Sequence, residues 1–273
     1  MPRVQIASCS EPGARSRNED NLRCGVAQRG SYAVLADGAG GHSRGAEAAL
    51  LAVTGVENML RDAQALYSPA YLTRAVRQAH AQVQSQQGAA TPEARMHCTV
   101  VALWIDLPAQ HALWTHVGDS RLYRVRRGRT DVVTADDSVV QRLLKTGAIQ
   151  AEQVPTHPQK NQLLAALGVA GEVVPHTVVR PVEVQEGDAF LLCSDGWWEH
   201  FDPHRLATVL AQAVTPQGWL DLMRQHIVAQ AKPRQDNFSA IALWAGDPAE
   251  AFDSSADDTQ PGLGWRQGPV RAP

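Results

Sequence analysis

The sequence predicts an α+β fold in which two antiparallel sheets pack together with helices outside them. Short apolar runs separated by Gly, Pro, Asp and Asn dominate the chain, as is typical of strands. Neighbouring runs are joined by connections as tight as GDS (118–120) and RRGR (126–129), which favours antiparallel hairpins over a parallel sheet. Helical patterns interrupt these strand groups in pairs, so we expect helix layers that cover the sheets.

The individual elements follow from their periodicity. Eight runs are predicted strands: VQIAS (4–8), YAVLA (32–36), CTVVALWI (98–105), ALWTHV (112–117), RLYRV (121–125), TVVRPVEV (177–184), AFLLC (189–193) and FSAIALW (238–244). Four segments are predicted helices: about 44–62, 69–87, 203–213 and 216–231.

Composition limits the classes of protein that this chain can be. With 273 residues, 44% hydrophobic and 19% charged, it has enough apolar material for a sizeable core. The net charge of -3 gives no sign of a nucleic-acid or membrane partner. Neither a secretory signal nor a spanning apolar segment is visible, and four scattered cysteines show no C-x-x-C pair. We therefore expect a cytoplasmic protein with reduced thiols.

The end of the chain differs from the rest. From Gly246 onward it is rich in Pro, Gly, Asp and Ser and poor in aliphatic residues, so it buries too little surface to offset ordering. We expect one domain over residues 1–245 and a flexible tail over 246–273.

Acidic residues recur at the ends of apolar runs. Asp37 in LADGAGGH (35–42), Asp119 in LWTHVGDS (113–120) and Asp195 in FLLCSDG (190–196) each close such a run, and Asp236 opens one. Asp-Gly alone is a common turn pair. Acids at four strand ends favour another interpretation, because strand ends at one edge of a sheet lie close together.

Crowded carboxylates require a positive partner. A further pair, Glu19 and Asp20 in RSRNED (15–20), adds to the acids, and Gly38 offers a backbone carbonyl. All-oxygen ligands favour Mg²⁺ or Mn²⁺ over zinc, and several carboxylates suit two ions about 3.5–4 Å apart. Arg15 lies near Glu19 in sequence, and its planar guanidinium suits phosphoryl oxygens.

These residues belong to motifs that occur in order along most of the chain: RSRNED (15–20), VLADGAGGHSRGAEAA (34–49), THVGDSRLYRVRRG (115–128), HPQKNQLLAALG (157–168), GDAFLLCSDGWWEHF (187–201) and DNFSAIAL (236–243). In them the sequence resembles the compact bacterial metal-dependent Ser/Thr protein phosphatases of type 2C, the PPM phosphatases. The resemblance implies a four-layer α/β/β/α sandwich and a binuclear Mn²⁺ or Mg²⁺ centre. It also implies hydrolysis of phosphoserine and phosphothreonine in proteins by a water that bridges the metals.

The resemblance also assigns the central residues. Asp37 matches the acid that bridges the two ions, and the carbonyl of Gly38 matches a ligand of one ion. Asp195 and Asp236 match the residues that complete the shell of the other. We therefore take Asp37, Asp195 and Asp236 as the catalytic metal ligands.

Four further positions match the periphery of the family's centre. Glu19 and Asp20 act at its edge, partly through metal-bound water. Asp119, together with Asp195, holds a weaker third ion in some members. Arg15 matches the arginine that binds the substrate phosphate, and Asn237 is expected to shape the turn after Asp236.

Several positions depart from the family pattern. Ala39 stands where bacterial members often have Met and eukaryotic members have a His proposed as general acid, and His42 cannot inherit that role by position. His97 and Cys98 replace a Gly-Ser/Thr pattern, and Asp137 stands where His is usual. None of these changes touches the metal acids, so activity remains expected. Trp197 and Trp198 suit either the pocket wall or packing at a helix start.

Two other functions compete with the metal phosphatase. CSEPGARS, from Cys9 to Ser16, fits the C-x5-R-[ST] loop of cysteine phosphatases, although it explains none of the recurring acids. The other is an inactive phosphatase-like module that binds phosphoproteins. For the metal enzyme we expect a monomer that acts on a phosphoprotein and opposes a Ser/Thr kinase. The SDGWWEHF stretch hints at the branch found in type VI secretion gene clusters.

Overall fold

The structure, a computed structural model, describes residues 4–39, 44–87, 96–106, 108–230 and 233–248. Its strands are β1 (Val4–Glu11), β2 (Asn21–Ala27), β3 (Gly30–Ala36), β4 (Gly38–Ala39), β5 (His97–Cys98), β6 (Val100–Asp106), β7 (His111–Val117), β8 (Arg121–Arg126), β9 (Arg129–Val132), β10 (His176–Thr177), β11 (Val182–Glu183), β12 (Asp188–Cys193) and β13 (Phe238–Ala245). Its helices are α1 (Gly45–Arg61), α2 (Pro69–Ser85), α3 (Val139–Lys145), α4 (Asp195–Trp198), α5 (Pro203–Leu210) and α6 (Pro216–Ala229), with a 3-10 helix at Ala151–Thr156.

Two antiparallel sheets form the centre of the molecule. One has the strand order β1-β13-β12-β8-β9, and the other has the order β10-β7-β6-β3-β2, with β11 also paired to β7. The short strands β4 and β5 pair separately. The first strand, β1, pairs antiparallel with the last strand, β13, so both ends of the domain lie in one sheet. In this pairing Val4 lies opposite Ala245.

The central strands are buried on both faces because each sheet lies between its partner and a helix layer. In β13, Ala240, Ala242 and Trp244 pack on the side of α5 and α6, while Ile241 and Leu243 face the other sheet. The strands β3 and β6 alternate in the same way between α1 and α2 on one side and the first sheet on the other. This arrangement confirms the four-layer α/β/β/α sandwich.

Three helices start at a capping residue followed by proline. The pairs are Ser68-Pro69, Asp202-Pro203 and Thr215-Pro216, and in each the capping side chain accepts a hydrogen bond from a backbone N–H of the first turn. Proline at the first helical position loses no hydrogen bond there. The predicted helices are confirmed, with observed ends within about three residues of the expected ones.

Several strand predictions need correction. The segment CTVVALWI is interrupted at Thr99, so that Cys98 belongs to β5 and β6 begins at Val100. The strand β9 was not predicted. The segment TVVRPVEV forms the two short strands β10 and β11 because Pro181 has no backbone N–H to continue the ladder. The strand β2 was not predicted because its sequence, NLRCGVA, has neither an apolar run nor a clear alternation. Glu19 and Asp20 lie immediately before β2.

The expected tail lies almost entirely outside the described residues, and its flexibility stays a prediction. The described part ends at Pro248, which is buried, so ordered packing extends slightly beyond residue 245. Among the described residues, every helix is too short or too polar to cross a bilayer.

Candidate active site

The expected site residues meet in one cavity of about 400 Å³ at an edge of the two sheets. Seven of them line it: Arg15, Glu19, Asp37, Gly38, Asp119, Asp195 and Asp236. The acids come from segments far apart in sequence, which the strand pairing brings together. Their roles as ligands remain predictions, but their convergence is a feature of the structure.

Asp37 is held by the residue that joins β5 to β6. Its backbone N–H donates to Oγ1 of Thr99 at 3.0 Å, and its carbonyl accepts from the backbone N–H of Thr99 at 2.8 Å. Oγ1 of Thr99 lies 2.7 Å from Oγ of Ser120, the neighbour of Asp119. One threonine therefore links the turns that carry Asp37 and Asp119.

Small residues allow the backbone to approach closely beside Gly38. The N–H of Gly38 donates to the carbonyl of Glu19 at 3.2 Å. A Cβ atom on Gly38 would lie 2.6 Å from the carbonyl oxygen of Gly45, and one on Gly45 would lie 2.7 Å from Oε2 of Glu19. Glycine at both positions therefore keeps the Gly38 carbonyl and the Glu19 carboxylate near each other.

Asn237 has a larger role than the turn-shaping expected of it. Its Oδ1 accepts from the backbone N–H of Glu19 at 2.8 Å, and its Nδ2 donates to the carbonyls of Pro12 and Arg17, both at 2.9 Å. Its side chain is thereby hydrogen-bonded at three points to the loop that carries Arg15. The loop is fixed relative to Asp236.

Asp20 lies behind the cavity and does not line it. Oδ2 accepts a hydrogen bond from Oγ of Ser194 at 2.9 Å, and Oδ1 is buried without a hydrogen-bond partner among the described residues. Burial, together with the charges of Asp195 and Asp236, raises the pKa of Asp20 to about 7. Such an unsatisfied buried oxygen is costly without a positive or hydrogen-bonding group nearby.

The acidic side chains raise one another's pKa values. Burial, followed by the charges of the other four Asp side chains, raises the pKa of Asp37 well above its usual range. Burial and the neighbouring charges also raise the pKa of Asp195 to about 6 and that of Asp119 to about 8. Because Asp37 interacts with all the others, it is the electrostatic centre of the cluster.

The donor set fits divalent cations that prefer oxygen. It consists of buried and half-buried carboxylates and the backbone carbonyl of Gly38, with the unsatisfied Oδ1 of Asp20 beside them. Among the described residues, no three His, Cys, Asp or Glu side chains are already arranged as a ready metal site. Asp236 turns instead toward Arg15, with 2.8 Å between Oδ2 and Nη2.

Cys9 does not fit the role of a nucleophile, and the cysteine-phosphatase alternative is wrong. Cys9 lies within β1, where it pairs with Ala240 of β13. Its side chain packs against the hydrophobic cluster between this sheet and helices α5 and α6. Burial and the charge of Glu11 raise its pKa to about 11, so the thiolate is scarce at neutral pH. Arg15 points elsewhere, toward Asp236.

The two tryptophans do not line the cavity, so packing is the correct interpretation. Trp197 is fully buried in the cluster under α5 and α6. Trp198 donates from Nε1 to the carbonyl of Asp119 at 3.0 Å, and its ring lies 3.5 Å from the guanidinium carbon of Arg121. Trp198 therefore fixes the backbone at Asp119 from outside the cavity.

The residues that depart from the family pattern lie close to the acidic residues. Ala39 lines the cavity and pairs with His97 in the β4–β5 ladder, and Cys98 is buried. Asp137 accepts from the N–H of Gly118 at 3.0 Å and lies 2.8 Å from Nε2 of His176. It thus supports the turn before Asp119. His42 lies outside the described residues.

Some cavity residues were not expected from the sequence: Ser16, Arg17, Thr99, Asn161 and Leu163. Asn161 and Leu163 belong to the HPQKNQLLAALG motif, which was recognised without any role for its side chains. These two residues reach the cavity through a long irregular connection, which periodicity does not predict.

Comparison with known proteins identifies the family of this chain. The sequence profile described as Protein phosphatase 2C matches residues 12–231. The chain belongs to the protein phosphatase 2C family. Among curated members of this family, it is 31% identical over 267 residues to the serine/threonine protein phosphatase PstP of Mycobacterium tuberculosis, covering 94% of this chain and 47% of PstP. It is 34% identical to the serine/threonine phosphatase stp of Listeria welshimeri, covering 67% of this chain and 73% of that relative.

Solved structures of type 2C phosphatases share the fold. The catalytic domain of PstP in complex with two manganese ions matches with a TM-score of 0.77 and 26% identity, covering 89% of this chain and 99% of that one. PppA, described as a key regulatory component of T6SS in Pseudomonas aeruginosa, matches with a TM-score of 0.71 and 28% identity, covering 89% and 97%. The chain spans about half the length of PstP itself.

Proposed function

We propose that this type 2C family member hydrolyses phosphoserine and phosphothreonine in proteins with the help of Mn²⁺ or Mg²⁺. The observation that carries the proposal is the convergence of Asp37, Asp119, Asp195 and Asp236 on one cavity with Arg15 at its rim. Arginine binds phosphate through two hydrogen bonds, and the acids bind cations.

Each group has a distinct task in this proposal. Asp37, the carbonyl of Gly38, Asp195 and Asp236 would hold two cations. Glu19 and Asp20 would act at the edge, and Asp119 would share a weaker third ion with Asp195. When bound, the cations neutralise the carboxylates, activate water and stabilise charge on the phosphoryl group.

The remaining residues bind and orient the substrate. The guanidinium of Arg15 binds two phosphoryl oxygens and aligns phosphorus toward the acids. Asn237 holds the Arg15 loop in place through its three hydrogen bonds to the backbone. Asn161 and Leu163 also line the cavity, and residues beside the phosphoamino acid would contact them.

The cellular setting is part of the same proposal. We expect a cytoplasmic monomer whose substrates are the products of a cognate Ser/Thr kinase. The likeness to PppA supports the branch associated with T6SS. Deletion of the gene should raise phosphothreonine on the substrates of that kinase, and phosphoproteomics would measure this.

The proposal is tested with phosphopeptides. Purified protein should release phosphate from phosphothreonine and phosphoserine peptides with Mn²⁺ or Mg²⁺, and chelator should abolish the release. Turnover that survives exhaustive chelation would overturn the metal assignment. Phosphopeptide binding without turnover at any metal concentration would support the inactive binding module instead.

A further inference from the structure

A buried histidine outside the cavity joins two segments that carry site acids. His200 follows α4, and only 8% of it is exposed. Its Nε2 lies 2.8 Å from Oε1 of Gln235, and its Nδ1 lies 2.8 Å from Oε1 of Gln230. Nε2 of Gln235 in turn donates to the carbonyl of Gly196 at 3.0 Å. Both ring nitrogens of His200 are therefore engaged.

The two joined segments are the ones that hold Asp195 and Asp236. Gly196 directly follows Asp195, and Gln235 directly precedes Asp236. The segments also touch, since a Cβ atom on Gly196 would overlap the carbonyl oxygen of Asn237. The side chain of Gln235 is the polar bridge across this contact, and His200 fixes the orientation of that side chain.

The same backbone supports the loop that carries Arg15. The carbonyl of Gln235 accepts from the N–H of Ala14 at 2.8 Å. Gln235 thus contacts three parts of the site: the start of α4 through its amide nitrogen, the Arg15 loop through its carbonyl and Asp236 through the peptide bond. None of these contacts places Gln235 or His200 in the cavity.

A series of hydrogen bonds runs from Arg205 at the protein surface through His226, Gln230, His200 and Gln235 to Gly196. We call this series the hydrogen-bond chain. Its donors and acceptors can be arranged in only one direction. Nη2 of Arg205 lies 3.0 Å from Nδ1 of His226 and can only donate. Nδ1 of His226 therefore accepts, and the ring proton lies on Nε2. Burial and the nearby Arg205 also lower the pKa of His226, which favours the neutral ring. Nε2 of His226 lies 2.7 Å from the Gln230 amide. The amide must therefore present its oxygen to His226.

This orientation determines the rest of the chain. The structure places Oε1 of Gln230 toward His200 and Nε2 toward His226. A rotation of this amide by 180° exchanges its oxygen and nitrogen and leaves both neighbours within hydrogen-bond distance. Its nitrogen then donates to Nδ1 of His200, and Nε2 of His200 donates to Oε1 of Gln235. The nitrogen of Gln235 donates to Gly196, so every group in the chain is satisfied. Only one tautomer of His200, with the proton on Nε2, completes it.

We propose that His200 is a positioning residue of the metal site. Through Gln235 it fixes the separation of the Asp195 and Asp236 backbones, and so preorganises their carboxylates for cation binding. This inference rests on the proposed function. Groups that orient metal ligands from outside the coordination shell typically contribute about 10- to 100-fold in affinity. The backbones of Asp37 and Gly38 are held instead by Thr99 and Glu19, so their contribution to binding should remain.

A matched histidine separates positioning from general stability. His80 in α2 is also buried, at 4% exposure, and its two ring nitrogens bond to the carbonyl of Gly171 at 3.0 Å and the N–H of Gly168 at 3.1 Å. Neither partner adjoins a site acid. His80→Ala and His200→Ala should both lower the melting temperature in chelator, because each leaves buried polar groups unpaired.

Calorimetric titration with Mn²⁺, well below the melting temperature, then tests the inference. His200→Ala should weaken Mn²⁺ binding about 10- to 100-fold, and His80→Ala should leave it within a factor of about two. Wild-type affinity in His200→Ala would overturn the inference. Equal weakening in His80→Ala would also overturn it, because the effect would then be general loosening.

Conservative variants keep the test decisive if His200→Ala fails to fold. The amide nitrogen of Gln occupies roughly the place of Nε2 in His, and that of Asn roughly the place of Nδ1. His200→Gln should therefore keep the bond to Gln235 and most of the Mn²⁺ affinity, whereas His200→Asn should lose it. Gln235→Met, which leaves His200 intact, should weaken binding as His200→Ala does. Equal affinities in the Gln and Asn variants would contradict the directional chain.

The wild type distinguishes this inference from the proposed function. If the wild type binds no Mn²⁺, the proposed function fails. If the wild type binds Mn²⁺ and releases phosphate but His200→Ala and Gln235→Met bind Mn²⁺ equally well, only the positioning role fails.

Discussion

Nη2 of Arg15 donates a hydrogen bond to Oδ2 of Asp236 at 2.8 Å. This ion pair joins the residue proposed to bind phosphate to a residue proposed to bind a cation. Both side chains are partly exposed, at 54% and 38%, so the pair contributes little to stability and separates easily. The arrival of a cation at Asp236 would release Arg15 toward the phosphoryl group.

Replacement of Arg15 should therefore affect phosphate and not metal. For Arg15→Ala we expect kcat/KM on a phosphothreonine peptide to fall about 10- to 1000-fold, with a raised KM, because a charge-assisted contact worth roughly 1.5–4 kcal/mol is lost. Mn²⁺ affinity should be equal to that of the wild type or slightly tighter, because Asp236 loses a competing partner. Steady-state kinetics and calorimetry measure the two effects.

Two controls accompany this variant. Arg15→Lys should recover only part of the loss, because an ammonium cannot form two parallel hydrogen bonds. Arg29→Ala removes another exposed arginine, which lines a separate surface pocket, and should leave kinetics unchanged. A main defect in Mn²⁺ binding for Arg15→Ala would contradict the assignment.

Removal of Asp37 should be far more damaging. Asp37→Ala should reduce phosphate release by several orders of magnitude, because it removes the acid at the centre of the cluster. Cys9→Ser should leave activity nearly intact, since that side chain packs under the helices. Phosphate-release assays in excess Mn²⁺ compare them. Loss of turnover in a folded Cys9→Ser protein would revive the cysteine mechanism.

The raised pKa values predict how pH affects the metal-free protein. The pKa values of Asp195, Asp20 and Asp119 are about 6, 7 and 8 in the folded chain, against about 4 when unfolded. Protons held by the folded state stabilise it fully below about pH 4, and this stabilisation is lost as pH rises through these folded values. We expect the melting temperature in chelator to fall from pH 5 to pH 8.

A variant that cannot ionise tests which group causes the fall in melting temperature with pH. Asp119→Asn cannot ionise, so its melting temperature should fall less over the same range, and saturating Mn²⁺ should largely remove the difference. Identical slopes for wild type and variant in chelator would show that Asp119 does not titrate as proposed.

Truncation tests the expected domain boundary. Because Pro248 is buried, a chain that ends at Pro248 should keep wild-type stability and turnover of p-nitrophenyl phosphate. Thermal denaturation of full-length and truncated protein measures this. A drop of more than a few degrees would show that residues 249–273 pack on the domain.

The sequence predicts the apolar strands and the acids at their ends well, because burial on both faces produces continuous apolar runs such as that of β13. It does not predict β2, whose packing comes from its neighbours and not from its own pattern. The position of Asp20 behind the cavity, against Ser194, also depends on tertiary contacts alone. So does the series of hydrogen bonds from Arg205 to Gly196, which joins residues 196–205 to residues 226–235.

The most direct test follows Mn²⁺ binding and phosphate release in the same metal-free samples as Mn²⁺ is added. Calorimetry should give two ions per chain at the tighter sites, and release of phosphate from a phosphothreonine peptide should rise with their occupancy. Asp37→Asn should bind fewer ions and release almost no phosphate. Full activity before any Mn²⁺ is bound, or wild-type binding and turnover in Asp37→Asn, would contradict the account.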